Sequence, residues 1–142
     1  MPRVLVVDDD EAIRESLVIL LSDESYEVAV AANGLHALQV LRQLSQPTVL
    51  LFDYLMPVGN GLDLLQGVAA DTALANCTAG ICMAARDRDR LPAEFITLMD
   101  LLGIRYIAKP FNLDEILAAV DTAHRRLAPT APNTYASGTT CN

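Results

Sequence analysis

Two stretches of this chain, Val4-Leu5-Val6-Val7 and Thr48-Val49-Leu50-Leu51-Phe52, are apolar without a polar alternate, and each stops abruptly at aspartate. A strand with one face in water alternates, whereas an unbroken apolar run is covered on both faces, which calls for a parallel sheet between two helical layers. Tyr26-Glu27-Val28-Ala29-Val30-Ala31 is a weaker run with some alternation and fits an edge, while Gly80–Ala84 and Arg105–Ala108 complete five strands. Between them, apolar residues recur at helical spacing: Ile13, Leu17, Leu20 and Leu21; Ala37, Leu38 and Leu41; Leu62, Leu65 and Val68; Phe95, Leu98, Met99 and Leu102; Ile116, Leu117, Val120 and Leu127. A strand and a helix repeated five times predict a doubly wound, three-layer α/β sandwich with sheet order 2-1-3-4-5. Eight strands for a barrel are not present.

At 142 residues and 52 % hydrophobic content the chain is one domain that buries enough surface to fold without metal or disulfides. The periodic part gives a domain over 1–127, and 128–142, rich in Pro, Thr and Gly, reads as a flexible tail or the start of a linker. A net charge of −8 argues against direct nucleic-acid binding by this domain. No run of 18 apolar residues is available for a membrane span, and acids from Asp8 onward interrupt any signal-peptide core. Three cysteines, Cys77, Cys82 and Cys141, have no metal-ligand spacing, so a reducing, cytoplasmic setting is expected.

With the first and third strands adjacent, Asp8, Asp9 and Asp53 converge at the carboxyl edge beside the switch point, where open α/β sheets bind ligands. Like charges at such range raise one another's pKa unless a cation intervenes. Oxygen-only ligands with room for water favour Mg²⁺, or Mn²⁺ in its place. The alternative is that acids after a strand cap the next helix, a role assigned to Asp10. After Asp53 the chain reads Tyr54-Leu55-Met56-Pro57-Val58-Gly59-Asn60-Gly61, in which Pro57 holds Met56 extended and Gly61 offers a backbone shape closed to other residues. The Leu55 carbonyl is selected as a further metal ligand. Lys109, the only lysine, ends the fifth strand before Pro110 and Phe111, where its ammonium is placed to pair with Asp53 and neutralise an anionic group there.

Jointly, the leading Val-Leu-Val-Val-Asp-Asp-Asp, the Asp53–Pro57 segment with Gly61, and Lys109-Pro110-Phe111 resemble the response-regulator receiver domain of two-component signalling, of the CheY-like family, over nearly all of positions 3 to 127. The resemblance implies the flavodoxin-like (βα)5 fold and a phosphoacceptor at Asp53, served by a sensor histidine kinase or a histidine phosphotransfer protein. It further implies that Asp9 binds Mg²⁺ directly, Asp8 orients it largely through water, Leu55 gives its carbonyl and Lys109 contacts the phosphoryl group. Such a domain supports its own phosphorylation and dephosphorylation but is no metabolic enzyme. The chemistry agrees, because a carboxylate is a competent nucleophile toward phosphorus when a metal and a lysine counter the charge.

One departure stands out. Where the family has Ser or Thr at the end of the fourth strand, this chain has Ala85, followed by Arg86. The absent hydroxyl is coupled in the family to an aromatic residue on the fifth strand, here Tyr106, so Ala85 and Tyr106 are the candidate switch positions. Arg86 is the candidate compensating hydrogen-bond donor to a phosphoryl oxygen, since guanidinium binds phosphate, within an alternating charge run, Arg86–Arg90, otherwise read as a solvated loop. His36 and His124 are read as helix-surface residues. The apolar stripe of the fourth helix, with Tyr106, suggests a homodimer or docking face made with the fifth strand and fifth helix. The rival readings are a pseudo-receiver scaffold that is never phosphorylated, a flavin-binding domain, and a metal-dependent aspartyl-phosphate phosphatase. The phosphatase lacks its second acid, since Leu55 holds that position, and the flavin reading lacks a phosphate loop after the first strand.

Overall fold

The computed structural model describes residues 3–44, 46–56, 59–85 and 87–127. The strands are β1 (Arg3–Val7), β2 (Glu27–Ala31), β3 (Thr48–Asp53), β4 (Thr78–Ala84) and β5 (Arg105–Ala108); the helices are α1 (Glu11–Asp23), α2 (Gly34–Leu44), α3 (Gly61–Ala69), α4 (Thr72–Cys77), α5 (Ala93–Leu102) and α6 (Leu113–Leu127). All strand pairs are parallel and the order is β2-β1-β3-β4-β5, the doubly wound flavodoxin-like arrangement predicted from the unbroken apolar runs.

Alternate residues of each central strand feed two separate cores. Leu5 and Val7 of β1, Leu50 and Phe52 of β3, and Cys82 and Ala84 of β4 pack with α2, α3 and α5. Val4, Val6, Val49, Leu51, Ile81 and Met83 pack on the other face with α1 and α6. Both sets are apolar because both faces are covered, so every residue of β3 is buried. The partly exposed pattern of β2 suits its place at the sheet edge.

The polar stretch between α3 and β4 departs from the sequence expectation. It holds the extra helix α4, capped by the Asp71 side chain on the Leu74 amide, and β4 begins at Thr78 rather than Gly80. Six residues burying only Leu74 and Cys77 are too few to show a helical period. The charged run after β4 also contains structure, a 3-10 turn at Arg88–Arg90 tied to α5 by an ion pair of Arg88 with Asp100. Of the α5 stripe, Phe95 and Met99 are fully buried and Leu98 and Leu102 half-buried, while Leu101, outside the stripe, is 73 % exposed. His124 is half-buried, edge-on to Tyr26, and His36 is exposed. Arg86 and the tail 128–142 lie outside the described residues, as do Pro57 and Val58. No helix among the described residues is long and apolar enough to cross a membrane.

Candidate functional site at the carboxyl edge of the sheet

Register places the acids. Val7 of β1 pairs with Phe52 of β3, so Asp8 and Asp53 each fall one step further along, at the edge where the strands end. Met83 of β4 pairs with both Asp53 and Ile107, and Lys109 continues β5 with its amide on the Ala84 carbonyl at 2.8 Å. Four chemically active side chains from three strand ends therefore share one corner. Carboxylate oxygens of Asp8, Asp9 and Asp53 all lie within 4.8 Å of one another. Lys109 Nζ donates to Asp53 Oδ2 at 3.1 Å and lies 3.5 Å from Asp8 Oδ2.

The first turn of α1 sets the acids in distinct environments. Asp10 is the N-cap, accepting from the amides of Ala12 and Ile13, as expected from its position. Asp8 is fully buried, Asp53 nearly so, and Asp9 is exposed. Asp8 Oδ1 accepts the Asp10 amide at 2.9 Å, but Oδ2 is buried without a hydrogen-bond partner. Burial raises the Asp8 pKa above its ordinary value; the Asp10 amide and Lys109 work against this, and Asp53 and Asp9 add to it. Lys109 loses solvation too, yet Asp53 and then Asp8 hold its ammonium more firmly protonated than usual. Beneath them the Cys82 thiol is pushed far up, first by burial and then by the charge of Asp53, and stays protonated.

A buried carboxylate oxygen with no hydrogen bond, beside two more carboxylates, is a donor set that suits a hard divalent cation. Asp8, Asp9 and Asp53 could hold such an ion, and capping explains none of the three as it explains Asp10. Leu55 has its amide 3.4 Å from Asp53 Oδ1 and its side chain 66 % exposed over the site. A cavity of about 130 Å³ opens beside Asp53, lined by Tyr54, Leu55, Ala84, Ala85 and Lys109. Its wall at Ala84 and Ala85 presents methyl groups where a side-chain hydroxyl would offer a donor. Tyr106 is half-buried on β5 and its hydroxyl is buried without a partner. Burial, followed by neighbouring negative groups, raises its pKa.

In the loop after Asp53 the backbone shape closed to other residues, expected at Gly61, falls at a different glycine. Gly59, not Gly61, has the left-handed φ of +63°. Its carbonyl accepts the Gly34 amide at 2.6 Å, joining the loop to the start of α2. Gly61 is instead needed for close approach, since a Cβ there would stand 3.0 Å from the Tyr54 Cα. Asn60 and Asp63 form a reciprocal capping box that starts α3. A second unanticipated contact comes from Arg14, whose Nη1 donates to the Asp8 backbone carbonyl at 2.8 Å. A cation three residues after the acidic run Asp8–Glu11 was its only sequence signal.

The family profile described as the response regulator receiver domain matches residues 4–121. The chain is 36 % identical over 130 residues to "Response regulator MprA" of Mycobacterium tuberculosis, covering 89 % of this chain and 52 % of that protein. It is 35 % identical over 129 residues to "DNA-binding response regulator MtrA" of Mycobacterium leprae, with 87 % and 52 % covered. The chain thus spans about half the length of these curated relatives. Among solved structures, chemotaxis response regulator CheY4 of Vibrio cholerae superposes with a TM-score of 0.72 at 27 % identity, over 87 % of this chain and 98 % of that one. The beryllofluoride-activated NtrC4 receiver domain dimer gives 0.71 at 25 %, over 89 % and 98 %.

Proposed function

The chain belongs to the response regulator receiver domain family, a phosphoaccepting, metal-assisted module of two-component signalling, and from that premise we propose that Asp53 is its phosphoacceptor. The observation that carries the assignment is one nearly buried carboxylate, Asp53, with Lys109 Nζ at 3.1 Å and the oxygens of Asp8 and Asp9 within 4.8 Å. The donor is the phosphohistidine of a sensor kinase or a histidine phosphotransfer protein. An Asp53 oxygen forms the new bond to phosphorus as the bond to the donor nitrogen breaks, and the leaving imidazole retains that bond's electron pair.

Asp8, Asp9, Asp53 and the Leu55 carbonyl would hold Mg²⁺, with Mn²⁺ able to replace it, and the bound ion counters charge on the phosphoryl oxygens. Lys109, held as an ammonium by both buried acids, is positioned to follow the charge from the Asp53 carboxylate to the phosphoryl group. Leu55 supplies no acid or base, which leaves the aspartyl phosphate without the partner a phosphatase would use for turnover. The domain works in the cytoplasm and does not itself bind nucleic acid, and its output passes to a partner or a further domain. The face formed by α5, β5 and α6 is the homodimer or docking surface, with Leu98 and Leu102 of α5 and Tyr106 of β5 only half-buried.

Incubation with Mg²⁺ and a small phosphoryl donor, followed by intact-mass measurement, tests the assignment. One base-labile phosphoryl mass is expected on the native chain and none on Asp53→Asn. Ala85 favours one competing reading, a scaffold that is never phosphorylated, and absence of any added mass in the native chain would establish it over ours.

A further inference from the structure

Asp8 is held by a hydrogen bond at every polar atom except one. Its amide donates to the Ala31 carbonyl at 3.3 Å, its Oδ1 accepts from Asp10, and its carbonyl accepts from the Arg14 guanidinium, while Oδ2 has no hydrogen bond and only the Lys109 ammonium at 3.5 Å. Arg14 reaches it because side chains on a helix lean toward the N-terminus, so a long residue in the second turn of α1 lies back over the turn that carries Asp8 and Asp9. Acidic residues are abundant here, with Glu11 and Glu15 lining the same groove as Arg14. Even so, among the described residues the hydrogen-bond partner of this guanidinium is a main-chain oxygen, and no carboxylate lies within ion-pair range.

We propose that Arg14 is a positioning residue for the divalent-cation site, clamping the Asp8–Asp10 turn so that the Asp8 and Asp9 carboxylates stay aimed at Asp53 without Arg14 touching the ion. The proposal rests on the metal reading of the acid triad. It is sharpened by a conflict of sign. As a positive charge near the site, Arg14 repels Mg²⁺, so deleting it strengthens binding if charge is all that matters. As a clamp, it restricts a turn whose three acids otherwise repel one another apart, and deleting it weakens binding. Residues that orient metal ligands contribute about 10–100-fold in affinity. The clamp here acts through the main chain, which places the expectation at the lower end of that range.

Calorimetric titration of the full chain with MgCl₂ decides between these signs. Arg14→Met should weaken Mg²⁺ binding about tenfold, and the loss should persist at high salt, where a charge effect is screened. Arg14→Lys keeps the charge but loses the planar fork, and should fall between the two. Arg90→Met, which removes the same charge from an exposed side chain whose ion pair is with Asp87 and with none of the three site acids, should leave the affinity unchanged. In metal-free protein the Asp10 amide should exchange faster in R14M, reporting the loosened turn. With a small phosphoryl donor, the half-saturating Mg²⁺ concentration should rise while the rate at saturating Mg²⁺ holds, a split that general loss of structure would not produce. Unchanged or tighter Mg²⁺ binding by R14M overturns the proposal. If R14M does not fold, unchanged affinity and exchange in R14K overturn it equally. A native chain that binds no Mg²⁺ refutes the metal reading and the proposal together; a native chain that binds with R14M matching it refutes the proposal alone.

Discussion

Asp8→Asn should stabilise the metal-free protein while weakening its response to Mg²⁺. The Asp8 carboxylate is fully buried and lies 3.5 Å from Lys109 Nζ, an attraction of about 4.7 kcal/mol at an effective dielectric of 20. Asp53, within 4.8 Å, returns at least about 3.5 kcal/mol of repulsion on the same scale. Exposed Asp9, screened by water, adds about 1 kcal/mol more. Attraction and repulsion nearly cancel. What remains is the desolvation of a charge and one buried oxygen with no hydrogen bond, the latter typically 1–3 kcal/mol. Asparagine keeps an Oδ1 for the Asp10 amide and turns an NH₂ toward the other two carboxylates, while Lys109 retains Asp53.

The expected gain of roughly 1–3 kcal/mol raises the thermal midpoint in EDTA by about 3–10 °C for a domain of this size. Saturating Mg²⁺ should reverse the ranking, because an ion bound at a hundred times its Kd adds about 2.7 kcal/mol to whichever protein binds it. The pH arm has a definite sign. The folded pKa of Asp8 is raised above 3.8, so the folded state takes up the proton first, and the native chain recovers this contribution as pH falls through the raised value toward 3.8. The difference between native and D8N should therefore narrow on mild acidification. A D8N midpoint below native in EDTA at neutral pH, or a gap that widens toward acid, would show that Lys109 outweighs burial and refute the reasoning.

Lys109→Ala should still bind Mg²⁺ by titration yet accept phosphoryl groups slowly from a small donor, since the acids remain and the cation paired with Asp53 does not. Gly34→Ala should lower stability by about 1–3 kcal/mol in a denaturant melt, because its Cβ would lie 2.4 Å from the Gly59 carbonyl oxygen and main chain must shift. On adding a phosphoryl mimic, amide shifts should be large near Asp53 and small near Tyr106 and α6, and Ala85→Thr should restore the distant response; large native shifts at Tyr106, insensitive to A85T and to truncation of Arg86, would contradict this.

The sheet order was legible because β1, β3 and β4 are apolar on both faces, a pattern with one simple solution. The acid corner followed from it, as Asp8, Asp53 and Lys109 each end a strand and register does the rest. Main-chain partners left no such trace. The Gly59 carbonyl on the Gly34 amide and the Arg14 guanidinium on the Asp8 carbonyl depend on how loops fold back, and carbonyls look alike in every residue. Helix α4 escaped notice for a different reason, having room for fewer than two turns and only two buried residues. The α5 stripe was identified correctly as apolar, but spacing alone could not show that Phe95 and Met99 fill the core while Leu101 faces out.

What separates acceptor chemistry from output in this chain is where polar groups are missing. Asp53 and Lys109 are mutually satisfied, yet the residue just past the end of β4 offers only the Ala85 methyl to the cavity beside Asp53, and the Tyr106 hydroxyl is buried with nothing to bond. A new phosphoryl charge acts at a distance through groups that can answer it with a hydrogen bond or a movement. Between Asp53 and Tyr106 lies the Cys82 thiol, a weak donor already turned to the Met83 carbonyl, and the Tyr106 hydroxyl has no partner among the described residues. The packed route the structure does contain is apolar: Tyr54, directly after Asp53, lies with its ring centroid 4.6 Å from Phe95 of α5, which in turn meets Phe52 edge-on at 6.4 Å. Such a stack transmits displacement rather than charge. Phe95→Leu should therefore reduce whatever α5 response the native chain shows to a phosphoryl mimic while leaving phosphorylation of Asp53 intact, as read by amide shifts and intact mass on the same samples. An α5 response unchanged in F95L would exclude the stack as its carrier.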